Sequence, residues 1–195
     1  LSRFILKKNE DATAFAWFFE TVRFLFFCGI LVFDWKLILT PQSIALFILL
    51  GLTETVSAYW IMKMHEHSHL SISTFISRSR LIWVAVLAFF LVHENLKISE
   101  YIGIVILFTG LSIVVSPKKF FIDKGATYAS LAAFMIALNI VIIKILLPFG
   151  SNSVINAALS LFPALLLPLT MKNAPGIIKN VFKTNLPRTL NALAA

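Results

Sequence analysis

The sequence predicts an all-α fold, a polytopic membrane helix bundle. Three observations predict it. Hydrophobic residues make up 59% of the 195 residues and charged residues 13%, with a mean hydropathy of +0.90, whereas soluble domains are about half apolar and about a quarter charged. Apolar stretches of the roughly 20 residues needed to cross about 30 Å of hydrocarbon recur along the chain. None of them alternates in the roughly ten-residue segments of a membrane β-strand. This balance excludes a water-soluble enzyme, a disordered tail and a disulfide scaffold; Cys28 is the only cysteine.

Six spans follow in order: A (residues 14–33), B (44–62), C (70–92), D (98–115), E (126–147) and F (154–171), and a seventh begins near Leu186. Their boundaries are clusters of charge and turn residues. Asp34-Trp35-Lys36 and Thr40-Pro41-Gln42 part A from B, Ser116-Pro117-Lys118-Lys119 follows D, and Pro148-Phe149-Gly150-Ser151-Asn152 parts E from F. Proline and glycine end helices, and charges are excluded from hydrocarbon. Residues 1–8 hold no apolar core of signal-peptide length and read as the tail of a helix begun upstream. Trp35 and Trp60 near span ends suit the interface.

The net charge of +8 reads as a loop property, with the lipid bilayer as partner and no nucleic acid. Eleven basic residues (Arg3, Lys7, Lys8, Lys63, Lys118, Lys119, Lys124, Lys172, Lys179, Lys183 and Arg188) fall on one side of the membrane, against Lys36, Lys97 and Lys144 on the other. The positive-inside rule places the richer side in the cytoplasm.

Polar residues within spans are the candidate site, because a charge at mid-bilayer costs about 2.5–3.5 kcal/mol and turns toward the bundle interior. Glu20 and Arg23 in span A lie three apart on one face and read either as a structural ion pair or as cavity lining. Glu54 shares a face of span B with Gly51, Thr55 and Ala58; it is expected to meet an arginine from span C, and unpaired it would be the proton-coupling carboxylate. Arg78 and Arg80 in span C point roughly 200° apart, so one is expected to pair with Glu54 or Glu20 while the other snorkels or lines the pathway. Asn139 and Lys144 mark span E, and Asn156, Ser160, Pro163 and Pro168 mark span F. Gly103 and Gly110, one heptad apart in span D, are expected to permit close packing, and Glu94 to cap the start of that span. The His65-Glu66-His67-Ser68-His69 run is the one metal-like cluster, and with no second cluster to close it no metal site is expected. No phosphate-binding glycine loop, nucleophile elbow or HExxH motif is present, so neither an enzyme nor a cofactor is expected.

The passage from span E into span F echoes the opening of the chain: a basic residue near a helix end, a polar turn, then a new span. With five spans per repeat, the two copies would be inverted in the membrane. The run from His93 to Ser112, with its Glu94-Asn95-Leu96 turn, polar first helical turn and Gly103 seven residues before Gly110, resembles the EamA-like branch of the drug/metabolite transporter superfamily. The common pattern places a glycine before the Glu; here it is His93. The resemblance implies ten helices in two inverted five-helix repeats around a central cavity. It makes residues 1–117 a first repeat lacking its first helix (helices two to five), and residues 118–195 the start of the second (helices six, seven and the beginning of eight), so that the 195 residues are expected to be part of a longer protein. It also implies a cell-membrane secondary transporter of amino acids, related metabolites or drugs, working by alternating access, chiefly as an exporter, with a small-molecule substrate and a coupling ion as partners. The family's usual orientation is the reverse of the one the basic residues favour. The rival reading is a non-transporting membrane scaffold or subunit whose buried charges only fix helix register.

Overall fold

Helix is the natural state of a chain whose backbone must satisfy itself in lipid. In the computed structural model, which describes residues 12–67, 76–93, 97–114 and 124–171, helices dominate and the only β-pairing is an isolated bridge. In chain order they are α1 (Ala12–Ile30), α2 (Pro41–His67), α3 (Arg80–Leu87) running into a π turn (Ala88–Val92), α4 (Ile98–Val114), α5 (Lys124–Leu146) and α6 (Asn152–Leu166) tightening into a 3-10 turn (Leu167–Thr170). Among the described residues three stretches, Pro41–His65, Lys124–Leu146 and Asn152–Thr170, are long and apolar enough to cross a membrane. The seventh span, the end of the loop before span C (68–69) and the first residues of span C (70–75) lie outside the described residues.

Local chemistry sets the helix ends. At the start of α2, Pro41 occupies the first helical position, where a missing N–H costs nothing. Thr40 N donates to Ser43 Oγ at 2.8 Å and Ser43 N donates to Thr40 Oγ1 at 3.1 Å, a reciprocal cap. Ser151 caps α6 by accepting from Val154 N. The start of α4 is closed by Glu100, whose Oε2 accepts from Lys97 N at 2.8 Å; Glu94, expected in a capping role there, lies outside the described residues. Span F, expected over residues 154–171 with Pro163 and Pro168 interrupting it, is α-helical to Leu166 and passes Pro163 without a break before the 3-10 turn at Pro168. Pro168 has no N–H for the carbonyl of Ala164, and that carbonyl instead accepts the indole N–H of Trp17 at 2.9 Å, fastening α1 to α6.

Span C ends on His93, the one described non-glycine residue with positive φ (φ 55°, ψ 33°). The left-handed conformation explains why a glycine suits this turn. His93→Gly is therefore expected to stabilise the protein by about 1 kcal/mol, read as a higher thermal midpoint in detergent; an unchanged or lower midpoint would show that the turn carries no such strain.

The long helices pack as α2 along α5 and α1 along α6, with α6 also against α2, and α3 on the outer side of α5. Small residues allow these approaches: Ala126, Ala129, Ala132, Ala133 and Ala137 of α5 are all buried. Trp83 of α3 meets Phe134 of α5 edge to face, centroids 5.3 Å apart. Two apolar cores result. One joins Ala14, Ala16, Ala58, Leu167 and Met171, with Trp17, Phe18, Tyr59 and Met62 around them. The other joins Leu50, Ile142, Leu146, Ile155 and Leu159, with Leu46, Phe47, Leu138 and Ile143 around them. Exposed apolar side chains such as Phe19, Leu25, Phe26 and Leu165 cover the outside, as lipid contact requires.

At the end of the bundle nearer the second core, two loops are joined. Leu37 and Gly150 form an antiparallel bridge, Ile38 N donates to Phe149 O at 2.7 Å and Ser151 N donates to Lys36 O at 2.9 Å. Asp34 Oδ2 accepts from Ser153 Oγ at 2.9 Å, placing a carboxylate at the positive end of α6.

Among the described residues α4 packs closely against no other helix. A Cβ built on Gly103 or Gly110 would meet nothing within 4 Å, so the close packing expected of these glycines is not made by the described residues.

Candidate functional site

Between the two apolar cores lies a polar layer. Glu20 and Arg23 sit three apart on α1, so they leave the helix on one face. Glu20 is about 15 Å from the end of α1 at Ile30, given 1.5 Å of rise per residue, which is mid-depth for a span. Thr53, Glu54 and Ser57 come from α2, Asn139 from α5, and Asn156 and Ser160 from α6. The i, i+3, i+4 spacing that buries the apolar residues of each helix carries these polar ones inward with them.

Arg23 is the hub. Its Nη1 donates to Glu54 Oε1 at 3.3 Å and lies 3.6 Å from Glu20 Oε2, and its Nη2 donates to Asn156 Oδ1 at 3.1 Å. Glu54 is the better served of the two acids. Asn139 Nδ2 donates to Glu54 Oε2 at 2.6 Å, and Ser57 Oγ reaches the same oxygen at 3.0 Å. Thr53 in turn bonds Asn139 Oδ1 through its hydroxyl, which fixes the amide's orientation. Asn156 is oriented by its own Nδ2, which donates to Asn152 O at 2.8 Å.

Burial differs around the ring. The side chain of Arg23 is 25% exposed and that of Glu54 14%, while Glu20 is 7% exposed. Glu20 Oε2 and Ser160 Oγ are both buried and neither makes a hydrogen bond of good geometry, although the two side chains lie within reach of each other. Two carboxylates and one guanidinium leave one negative charge in excess when both acids are ionised. Chemically, the layer offers a fork of donors for a carboxylate, acidic oxygens for a cation, and two amides for orientation.

The structure brings together Glu20, Arg23, Glu54, Asn139 and Asn156, five of the seven residues expected to line a cavity. It does not bring Arg78 or Arg80 to them. The expected partner of Glu54, an arginine from span C, is replaced by Arg23 of span A. The reason is topological: α3 packs on α5, with no comparable packing on α2 or α1, and among the described residues neither Arg78 nor Arg80 makes an ion pair. Glu54 is accordingly not an unpaired acid. Sequence reasoning missed Thr53 and Ser57; their spacing around Glu54 along one face of α2 was the available signal. Among the described residues no group of three His, Cys, Asp or Glu could hold a metal ion; the histidine-rich run continues into residues outside those described.

The family model of the EamA-like transporter family matches residues 2–116, more than half of the chain. No curated protein and no solved structure matches it.

Proposed function

Since the chain belongs to the EamA-like transporter family, membrane transporters of the drug/metabolite superfamily, we propose that it moves small zwitterionic metabolites of the amino-acid class across the cell membrane by alternating access, as an exporter. The observation that carries this reading is the polar layer at mid-span, closed toward each end by an apolar core. Arg23 would receive a substrate carboxylate by a charge-assisted fork, and Glu54 the ammonium group, with Asn139 and Asn156 orienting both. A substrate carrying both charges replaces the internal Arg23–Glu54 contact with two of its own, so no charge is left bare at mid-bilayer. The joined loops at Leu37 and Gly150 suit a gate closed on that side, and their separation would accompany opening. In this reading residues 1–117 are helices two to five of a first repeat, and residues 118–195 begin the second.

Reconstitution in liposomes tests it. Vesicles loaded with radiolabelled neutral amino acids are expected to show saturable efflux, with a dicarboxylate and an organic cation exported poorly. Glu54→Gln is expected to reduce efflux about tenfold, equivalent to about 1.4 kcal/mol of lost interaction, while Arg78→Gln changes it less than about twofold. Efflux no faster than from protein-free vesicles would instead favour a scaffold whose charges only hold helix register.

A further inference from the structure

Glu20 is the buried acid that the substrate contacts above do not use. Glu54 has donors from three residues, but Glu20 Oε2 has the flank of Arg23 at 3.6 Å and the nearby Ser160 hydroxyl, and no hydrogen bond of good geometry. Across from it on α6 stands Ser160, 0% exposed, whose hydroxyl likewise makes no well-formed hydrogen bond. Such groups are rarely left unmatched in a buried site, because each loses its hydration without return. The charged and titratable groups facing Glu20 are Arg23 on its own helix and Glu54 on α2. From α6 come only the neutral Ser160 and Asn156, and the 3-10 turn contributes none.

We propose that Glu20 and Ser160 form the binding site for a coupling proton. Binding converts the Glu20 carboxylate to a carboxylic acid whose O–H donates to Ser160 Oγ. One event thus satisfies both orphaned atoms and removes the excess negative charge, leaving Arg23 matched by Glu54 alone. Loss of the proton frees the Glu20 carboxylate to draw Arg23 away from Glu54 and Asn156, which links proton occupancy to the geometry of the substrate contacts. A proton suits the site better than a metal cation. A hard cation takes about six oxygen ligands, whereas here the guanidinium stands within 4 Å and one spare hydroxyl is available. The coupling role rests on the transport reading above; the proton site itself does not.

Infrared spectroscopy of the full chain in lipid, with bulk pH stepped, reads the site directly. A narrow carboxylic-acid C=O band, at higher frequency than that of solvated acids, is expected to come and go with pH. It should vanish in Glu20→Gln, persist in Glu54→Gln, and move to higher frequency in Ser160→Ala, where the hydrogen bond is lost. The Ser160→Ala shift guards against a Glu20 variant that merely misfolds. A band that survives Glu20→Gln, or saturable sodium binding abolished by Glu20→Gln, would overturn the assignment. In vesicles holding a trapped pH dye, amino-acid efflux is expected to move protons in the unmodified protein and at least tenfold fewer per substrate in Glu20→Gln. A titrating Glu20 band with no amino-acid efflux would overturn the transport reading and leave the proton site standing; efflux with unchanged proton movement in Glu20→Gln would overturn the coupling.

Discussion

Arg23→Leu is expected to destabilise the protein by about 3 kcal/mol, the low end of the cost of removing one partner from a buried ion pair. The low end applies because the Arg23 side chain is a quarter exposed. Without the guanidinium, the carboxylates of Glu20 and Glu54 face each other across α1 and α2 with no positive charge among the described residues of the layer, and Asn156 Oδ1 loses its donor. Unfolding in a graded series of denaturing detergent measures the loss. Adding Glu54→Gln to Arg23→Leu should return at least about 1 kcal/mol, since groups in one network do not contribute additively. Two costs that simply add would mean that Arg23 and Glu54 are independent, and the hub would be wrong.

Gly51→Ala is expected to cost about 1–3 kcal/mol, the range for overpacking a close contact. A Cβ on Gly51 would overlap the ring and the Cβ of Phe162 on α6, and a Cβ so close to another helix cannot be relieved by rotating a side-chain tip. The added methyl therefore forces α2 and α6 apart at the edge of the polar layer. Shortening the obstacle with Phe162→Ala in the same chain should recover part of the loss. Gly103→Ala is the contrast: its Cβ meets nothing within 4 Å, so the lower backbone entropy cost of alanine should stabilise α4 by about 0.5–1 kcal/mol. The same unfolding assay reads both. Equal effects at the two positions would contradict the packing described.

Much of the candidate site was legible in the chain because polar and ionisable residues inside apolar spans are few and turn inward for one reason, the cost of an unmatched polar group or charge in hydrocarbon. Glu20, Arg23, Glu54, Asn139 and Asn156 were found that way. The pairing was not legible. Glu54 meets Arg23 and not Arg78 or Arg80, because α5 carries α3 on its outer side. Ser57 and Thr53 look like ordinary helix-face residues until the Glu54 carboxylate and the Asn139 amide stand beside them. The exchange of Trp17 for Pro168's missing hydrogen bond follows the same rule: the proline announces a free carbonyl, but not which side chain from another helix takes it.

The all-α membrane class follows from the chain alone. A run of apolar residues long enough to cross the bilayer has to close its own backbone hydrogen bonds, and that requirement is local. Proline and capping residues likewise mark ends through their immediate neighbours. Which acid is satisfied and which is left waiting depends on helix order and packing across the bundle. Glu20 and Glu54 are the same side chain at similar depth. One receives an arginine, an amide and a hydroxyl, and the other faces a serine with an unmatched oxygen on each side.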